Sequence, residues 1–237
     1  MHWVSKTAAT LMLATSAAGL ATGCVENDSS VFIVGVFNLS SSDCLAKPDA
    51  EAELMFAGTI DLAFTTTYDA ALLVGNQLTQ QGNRERLRTE TSRMRLQGAD
   101  VTLFRPDGSE VSFTTSASGF VHSADGVDPS YAAVSAQLVR DGDLPPGTDS
   151  GIAIARVRVF GESLGGEDVE SGDFDFPINV CNGCLVRFPP EAILENGQCV
   201  ADAEVQQEQT VCYFGQDVPF PCTACIGHPA CSGTATQ

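Results

Sequence analysis

Seven of the nine cysteines lie between positions 181 and 231, while Cys24 and Cys44 stand far upstream. With Cys24 set aside, eight remain: Cys44, Cys181, Cys184, Cys199, Cys212, Cys222, Cys225 and Cys231. In an oxidising compartment such a set closes into four disulfides, whose connectivity the sequence leaves open. Because seven is odd, at least one bridge must leave the C-terminal block, and Cys44 is its only distant partner. The chain therefore has to bring its beginning back against its end. The compartment is read from residues 1–23. Met1 to Lys6 carries one positive charge and no acid, Thr7 to Leu20 is mostly Ala, Leu, Met and Thr, and small residues follow at Ala21 to Gly23. This is the order of a secretory signal peptide. The apolar run is shorter than the roughly 20 residues a membrane span needs. Thr10, Thr15, Ser16 and Gly19 also interrupt it, so removal is expected and not retention.

Leu20-Ala21-Thr22-Gly23-Cys24 closes that segment. At these residues the chain resembles the bacterial lipoprotein class, whose lipobox places small residues before a cysteine that is diacylated, cut free and then N-acylated. The resemblance covers only the first 24 residues and implies an anchor, not an activity. It makes Cys24 the lipidation site, carrying palmitate-type chains, and two or three such chains hold a protein stably where one is marginal. Within the class, Asp after the lipidated cysteine signals inner-membrane retention. Val25 stands there in this chain, which implies the outer membrane or the cell surface. Lipidation of Cys24 also accounts for the odd cysteine count. The body is similar in style to uncharacterised Gram-negative surface lipoproteins.

Without residues 1–23 the chain keeps 214 residues and all 30 acids but loses Lys6, so its formal charge moves from −18 to −19. A body this acidic repels nucleic acid and anionic headgroups, which excludes a nucleic-acid partner. It suits a solvated surface protein or one that meets cations.

Residues 24–30 form a short polar spacer, after which Val31 to Leu39 reads as a buried strand. Strand-like segments continue at Ala52 to Phe64, Tyr68 to Gly75, Arg86 to Leu96 and Asp100 to Phe104. Arg105-Pro106-Asp107-Gly108 is a turn, with Pro presetting one dihedral and Gly taking the positive φ, and Glu110 to Thr115 returns from it as a hairpin. Further strands are expected at Ala132 to Arg140, Ile152 to Phe160 and Phe174 to Val180. Ile152 to Phe160 alternates, with Ala153, Ala155, Val157 and Val159 on one face and Ile152, Ile154, Arg156, Arg158 and Phe160 on the other. Short strands, regular turn chemistry and no amphipathic helix predict an all-β fold over 31–180, an antiparallel β-sandwich of immunoglobulin-like style. From 181 to 237 the composition shifts to Cys, Pro, Gln and Gly, with one helical turn opening at Pro190. A segment so poor in core formers needs covalent staples, so 181–237 is expected to be a disulfide-rich, mostly irregular cap.

Gly161-Glu162-Ser163-Leu164-Gly165 matches the G-x-S-x-G elbow of serine hydrolases. The elbow needs a helix directly after the serine, whereas Gly166 to Asp175 is acidic and lacks helical apolar spacing. A glycine-rich hairpin loop is therefore expected, and an esterase using Ser163 is the alternative. Cys181-x-x-Cys184, Cys222-x-x-Cys225 and the set Cys222, Cys225, His228 and Cys231 have zinc-ligand spacing. Outside the cytosol disulfides take such thiols first. Neither CxxC is followed by His, which excludes c-haem attachment, and no helix follows Cys184 to lower a thioredoxin-like thiol's pKa.

Glu162, Glu167, Asp168, Glu170, Asp173 and Asp175 crowd one loop, and Asp141, Asp143 and Asp149 another. Calcium takes such oxygens, which makes Asp168, Glu170, Asp173 and Asp175 weak calcium candidates against a solvated acidic loop. Arg84, Arg86, Arg88, Arg93 and Arg95 concentrate the positive charge, and pairing with strand carboxylates is expected of them. The reading is thus an exported, lipid-anchored envelope or surface protein with a non-catalytic binding or structural role. No cofactor is expected. Its partners are the membrane, through the anchor, and an envelope protein or glycan. The alternatives are the esterase and a Ca- or Zn-binding module.

Overall fold

The computed structural model describes residues 30–39, 43–49, 51–82, 89–145, 147–194, 198–200, 205 and 210–232. The expected signal peptide, Cys24, the expected spacer through residue 29 and Arg84, Arg86 and Arg88 lie outside the described residues. Thirteen strands are found among them: β1 (Val31–Phe37), β2 (Leu54–Met55), β3 (Gly58–Asp61), β4 (Tyr68–Asn76), β5 (Met94–Phe104), β6 (Glu110–Thr115), β7 (Gly119–Val121), β8 (Ser130–Val139), β9 (Gly151–Ser163), β10 (Asp168–Glu170), β11 (Phe174–Cys181), β12 (Val186–Arg187) and β13 (Phe220–Pro221). They make a four-stranded sheet in the order β2-β1-β4-β8 and a seven-stranded sheet in the order β3-β11-β9-β5-β6, to which β10 and β7 add through β9 and β5. β12 and β13 pair by themselves in the cap.

The fold is a β-sandwich, because one core draws on both sheets: Val31, Leu72, Val74, Val134 and Leu138 from the smaller meet Leu103, Ala153, Val157, Val159, Phe176 and Ile178 from the larger. Period-2 alternation produces this directly. Ala153, Ala155, Val157 and Val159 of β9 are fully buried, and Ile152, Arg156 and Arg158 face solvent, as the sequence predicts. Pairing is antiparallel except for β3 against β11 and β12 against β13, which are parallel. The four-stranded sheet is thus antiparallel, as the sequence reading expected, while the seven-stranded sheet is mixed through its β3 edge.

Other departures have local causes. The run Ala52 to Phe64 divides into β2 and β3, interrupted at Phe56 and Ala57. Of the expected strand Arg86 to Leu96, the described residues before Met94 are not strand, while Met94 to Leu96 runs on into Asp100 to Phe104 as one strand, β5, whose register slips between Leu96 and Gly98. The ring of Phe160 fills the space there, so that a Cβ on Gly98 would lie 2.4 Å from it. β7 and β10 are three residues each, too short to carry a periodic signal.

The sandwich has two unlike ends. At one end Val31, where the described chain enters, pairs with Asn76, and close by lie the Ser163–Asp168 turn and the turn Asp125–Asp128. Buried Asn76 ties this end together: its Nδ2 donates to the carbonyls of Ser92 (2.9 Å) and His122 (3.0 Å), and its Oδ1 accepts from the amide of Leu78 (2.9 Å). At the other end, where Phe37, Asp61, Tyr68, Val139, Gly151 and Cys181 begin or finish their strands, sits the cap. The cap has a small core of its own, Leu185, Val186, Ala192, Phe220, Cys222 and Cys231. A 3-10 turn over Pro190–Ala192 stands where the sequence placed a helical turn.

Candidate functional site

All eight cysteines after Cys24 are joined: Cys44 to Cys212, Cys181 to Cys184, Cys199 to Cys222 and Cys225 to Cys231. The long-range bridge that the cysteine count requires is Cys44–Cys212, spanning 168 positions. Pairing also splits the zinc-spaced set, since Cys222 and Cys225 have different partners. His228 instead lies 4.7 Å from the Phe64 ring, and its Nδ1 accepts from the amide of Ala230. Among the described residues one group has metal-ligand proximity, Asp61 with Cys181 and Cys184. It does not fit a metal, because the two sulfurs are bonded to each other and the carboxylate is already taken by backbone amides.

Asp61 organises this region. An acid inside the apolar run Ile60-Asp61-Leu62 is the one signal of it in the sequence. Fully buried at the end of β3, its Oδ1 accepts from the amides of Ala63 (3.1 Å) and Gly183 (2.6 Å), and its Oδ2 from Leu185 (2.9 Å). The carboxylate thereby fixes the loop after β3 against the Cys181–Cys184 loop. Asp217, held at φ 58°, plays a parallel part. It accepts from the amide of Thr59 (2.8 Å) and from the hydroxyl of buried Tyr68 (2.9 Å). Burial raises the pKa of Asp217 above the ordinary carboxylate range, outweighing the Thr59 amide and the Tyr68 hydroxyl, which act to lower it. The same burial, with the Asp217 charge, pushes the Tyr68 phenol up.

Between these fixed loops opens a cavity of about 340 Å³ lined by Leu62, Thr66, Asp141, Leu144, Asp149 and Asn182, among others. That size lies at the lower bound for small-ligand sites. One wall is the loop after β8. Buried Asp143 braces it by accepting from the backbone amide (2.9 Å), Nε (3.1 Å) and Nη2 (3.0 Å) of Arg140, while its carbonyl accepts from Arg105. The guanidinium of Arg140 in turn lies 3.8 Å from the Phe113 ring centroid. Of the acids flagged at this loop, Asp143 is therefore structural, whereas Asp141 and Asp149 line the cavity and make no ion pair among the described residues. Sequence reasoning missed Thr66 and Asn182, which reach the cavity only because Asp61 binds their two loops together. A second crevice, between Val36, Met55, Tyr213 and Asp217, is about 20 Å³, room for one water-sized molecule.

The remaining candidates fall on the large sheet. Ser163 ends β9 and opens a hairpin turn into β10, with no helix after it. Its hydroxyl accepts from the amide of Glu167 (3.1 Å) and its amide donates to the Glu167 carbonyl (2.8 Å). Asp175 pairs with Arg156 (2.7 Å), Asp173 with Arg158 (2.6 Å) and Glu170 with Arg158 (3.7 Å), while Asp168 begins β10, exposed. Three of the four calcium candidates thus already have cations against their oxygens. Hydrogen bonding from Arg156 holds the Asp175 carboxyl below its ordinary value. Arg95 pairs with Glu162 (3.2 Å), as expected, while Arg93 lies over the Phe120 ring (4.5 Å) and its Nε has no partner.

Comparison of the chain with family models, with curated proteins and with solved structures finds no match.

Proposed function

We propose that this chain is an exported, lipid-anchored envelope or surface protein whose role is binding or structural and not catalytic. What carries the reading is the thiol inventory. Eight cysteines are consumed in four disulfides, which suits an oxidising compartment and leaves Cys24, in a lipobox-like context, outside those bridges. The non-catalytic role is supported by the environment of Ser163, whose hydroxyl is engaged by a backbone amide in a hairpin turn. The cavity supports a binding role, since its carboxylates, hydroxyls and amide suit the hydroxyl donors of an envelope glycan.

Intact mass of the membrane-extracted, unreduced protein tests the anchor. The expected species begins at Cys24, carries two or three acyl chains and takes up no thiol reagent. A chain starting at Cys24 without acyl mass, or a full-length chain with titratable thiols, refutes the reading.

A further inference from the structure

Each end of the sandwich exposes its own set of large apolar side chains. Near Val31, large apolar side chains stand at loop tips: Val127, 96 % exposed, in the turn after β7, and Leu164, 49 % exposed, in the turn after β9. Both turns are fixed to the strand ends beside the chain entry. Leu164 donates its amide to the Arg93 carbonyl (2.8 Å), Ala124 to Leu78 (2.7 Å), and Gln77 to Ser30 (3.0 Å). The cap end exposes a separate group, Tyr213, Phe214 and Ile226. Strand β4 alone puts nine residues, about 26 Å, between the two ends.

We propose that the end bearing Val31 rests on the bilayer, with Val127 and Leu164 at the lipid interface, so that the stapled cap and its cavity are presented away from the membrane. This rests on the reading of Cys24 as the lipidated residue. The chain from Cys24 to Val31 spans at most about 25 Å even when fully extended, so the entry end stays within that reach of the surface, while the cap end lies a sandwich length further along the fold. Lying flat on the outer face of the large sheet would strip water from Arg156, Arg158, Asp173, Asp175, Arg95 and Glu162, whose exposed ion pairs return little for that cost. The entry end meets the interface with two apolar tips instead. Glu162, Glu167 and Asp168 flank Leu164 along the chain, and Asp125 and Asp128 flank Val127, so the lipid that fits is zwitterionic and not anionic.

The only tryptophan is Trp3, within the signal peptide, so single reporters can be introduced into the mature chain as Val127→Trp, Leu164→Trp and, at the cap, Ile226→Trp. Each is measured on vesicles of brominated phosphatidylcholine in two forms, the natively lipidated protein and the mature chain with a histidine tag in place of Cys24, held by nickel-chelating lipid. The expected result is loss of most emission at 127 and 164 and unchanged emission at 226, in both forms, with less quenching at 127 and 164 when anionic lipid is mixed in. Quenching at 226 equal to or above that at 127 and 164, or quenching at none of the three, overturns the orientation. Absence of acyl mass on the first form with the expected pattern on the second removes the lipidation reading alone.

Discussion

Replacing Asp61 by Ala removes the acceptor of three amides, those of Ala63, Gly183 and Leu185. A buried donor left without a partner costs about 1–3 kcal/mol. The Leu185 amide is the most enclosed of the three and falls at the upper end of that range, while the other two are partly buried and recover some hydration. Relief of the carboxylate's own desolvation offsets part of the loss, so the net cost is about 4 kcal/mol. That is a large share of the roughly 5–15 kcal/mol by which a domain is stable, and for a chain of this length it lowers Tm by about 10 °C. Asp61→Asn keeps one acceptor and aims a donor at the other amide, so it should fall between the parent and Asp61→Ala. Far-ultraviolet circular dichroism gives the Tm values, and limited proteolysis reads whether the 181–185 loop becomes the first site cut. A Tm within about 2 °C of the parent for Asp61→Ala, with the loop still protected, would mean that the carboxylate does not organise this end.

Gly58→Ala places a Cβ 2.1 Å from the Tyr68 hydroxyl oxygen, which must swing off Asp217. A loss of about 3 kcal/mol in chemical denaturation is expected, smaller when Tyr68→Phe accompanies it; full additivity of the two changes contradicts the steric account. For Asp217, a folded pKa above the unfolded one means that the folded state binds more protons in the window between them. Its stabilising contribution is then complete below the ordinary carboxylate range and is lost as pH rises through the folded value. Asp217→Asn, neutral throughout and tolerated at φ 58°, should therefore gain in Tm over the parent at about pH 7 and lose that advantage near pH 4; an equal difference at both pH values rejects the sign. The exposed Arg158–Asp173 pair should show a coupling of at most about 1 kcal/mol in a double-mutant cycle, fading with salt, and more than about 2 kcal/mol would show that this face is not solvent-screened.

Much of the fold was legible because β9 alternates strictly with a two-residue period, β8 and β11 do so until their last residues, and Pro106 and Gly108 mark the β5–β6 turn chemically. Neither signal exists where pairing is non-local. The parallel partnership of β3 with β11 joins Gly58 to Ile178 and leaves no trace in either segment. The bridge from Cys44 was forced by counting, but its choice of Cys212 followed from the cap's path past Leu39, Tyr213 and Asp217. For the site, Asp141 and Asp149 were visible as acids in a loop, yet only the Arg140 pairing of Asp143 separates the structural member from the cavity-lining ones. Likewise Glu170, Asp173 and Asp175 read as free oxygens until β9 and β11 pair and bring Arg156 and Arg158 beside them.

The cap is better understood as the last edge of the large sheet than as an appendage. β3 is the outer strand of its sheet, and an open edge of N–H and C=O groups invites pairing with other chains. Residues 215–217 occupy it: the Asp61 amide donates to the Gly215 carbonyl (2.9 Å), the Asp217 amide to the Thr59 carbonyl (3.0 Å), and the Asp217 carboxylate takes the Thr59 amide. Gln216 does the same for β4, its side-chain amide bonding both the N–H and the carbonyl of Asp69 (3.2 and 3.1 Å). Packing of Phe214 and Phe220 against Phe64 holds this segment by burial, and a covalent tie is added to that packing by Cys44–Cys212. It closes the return of the chain at the point where the edge is covered, so the covalent staple and the hydrogen-bonded seal protect the same strand.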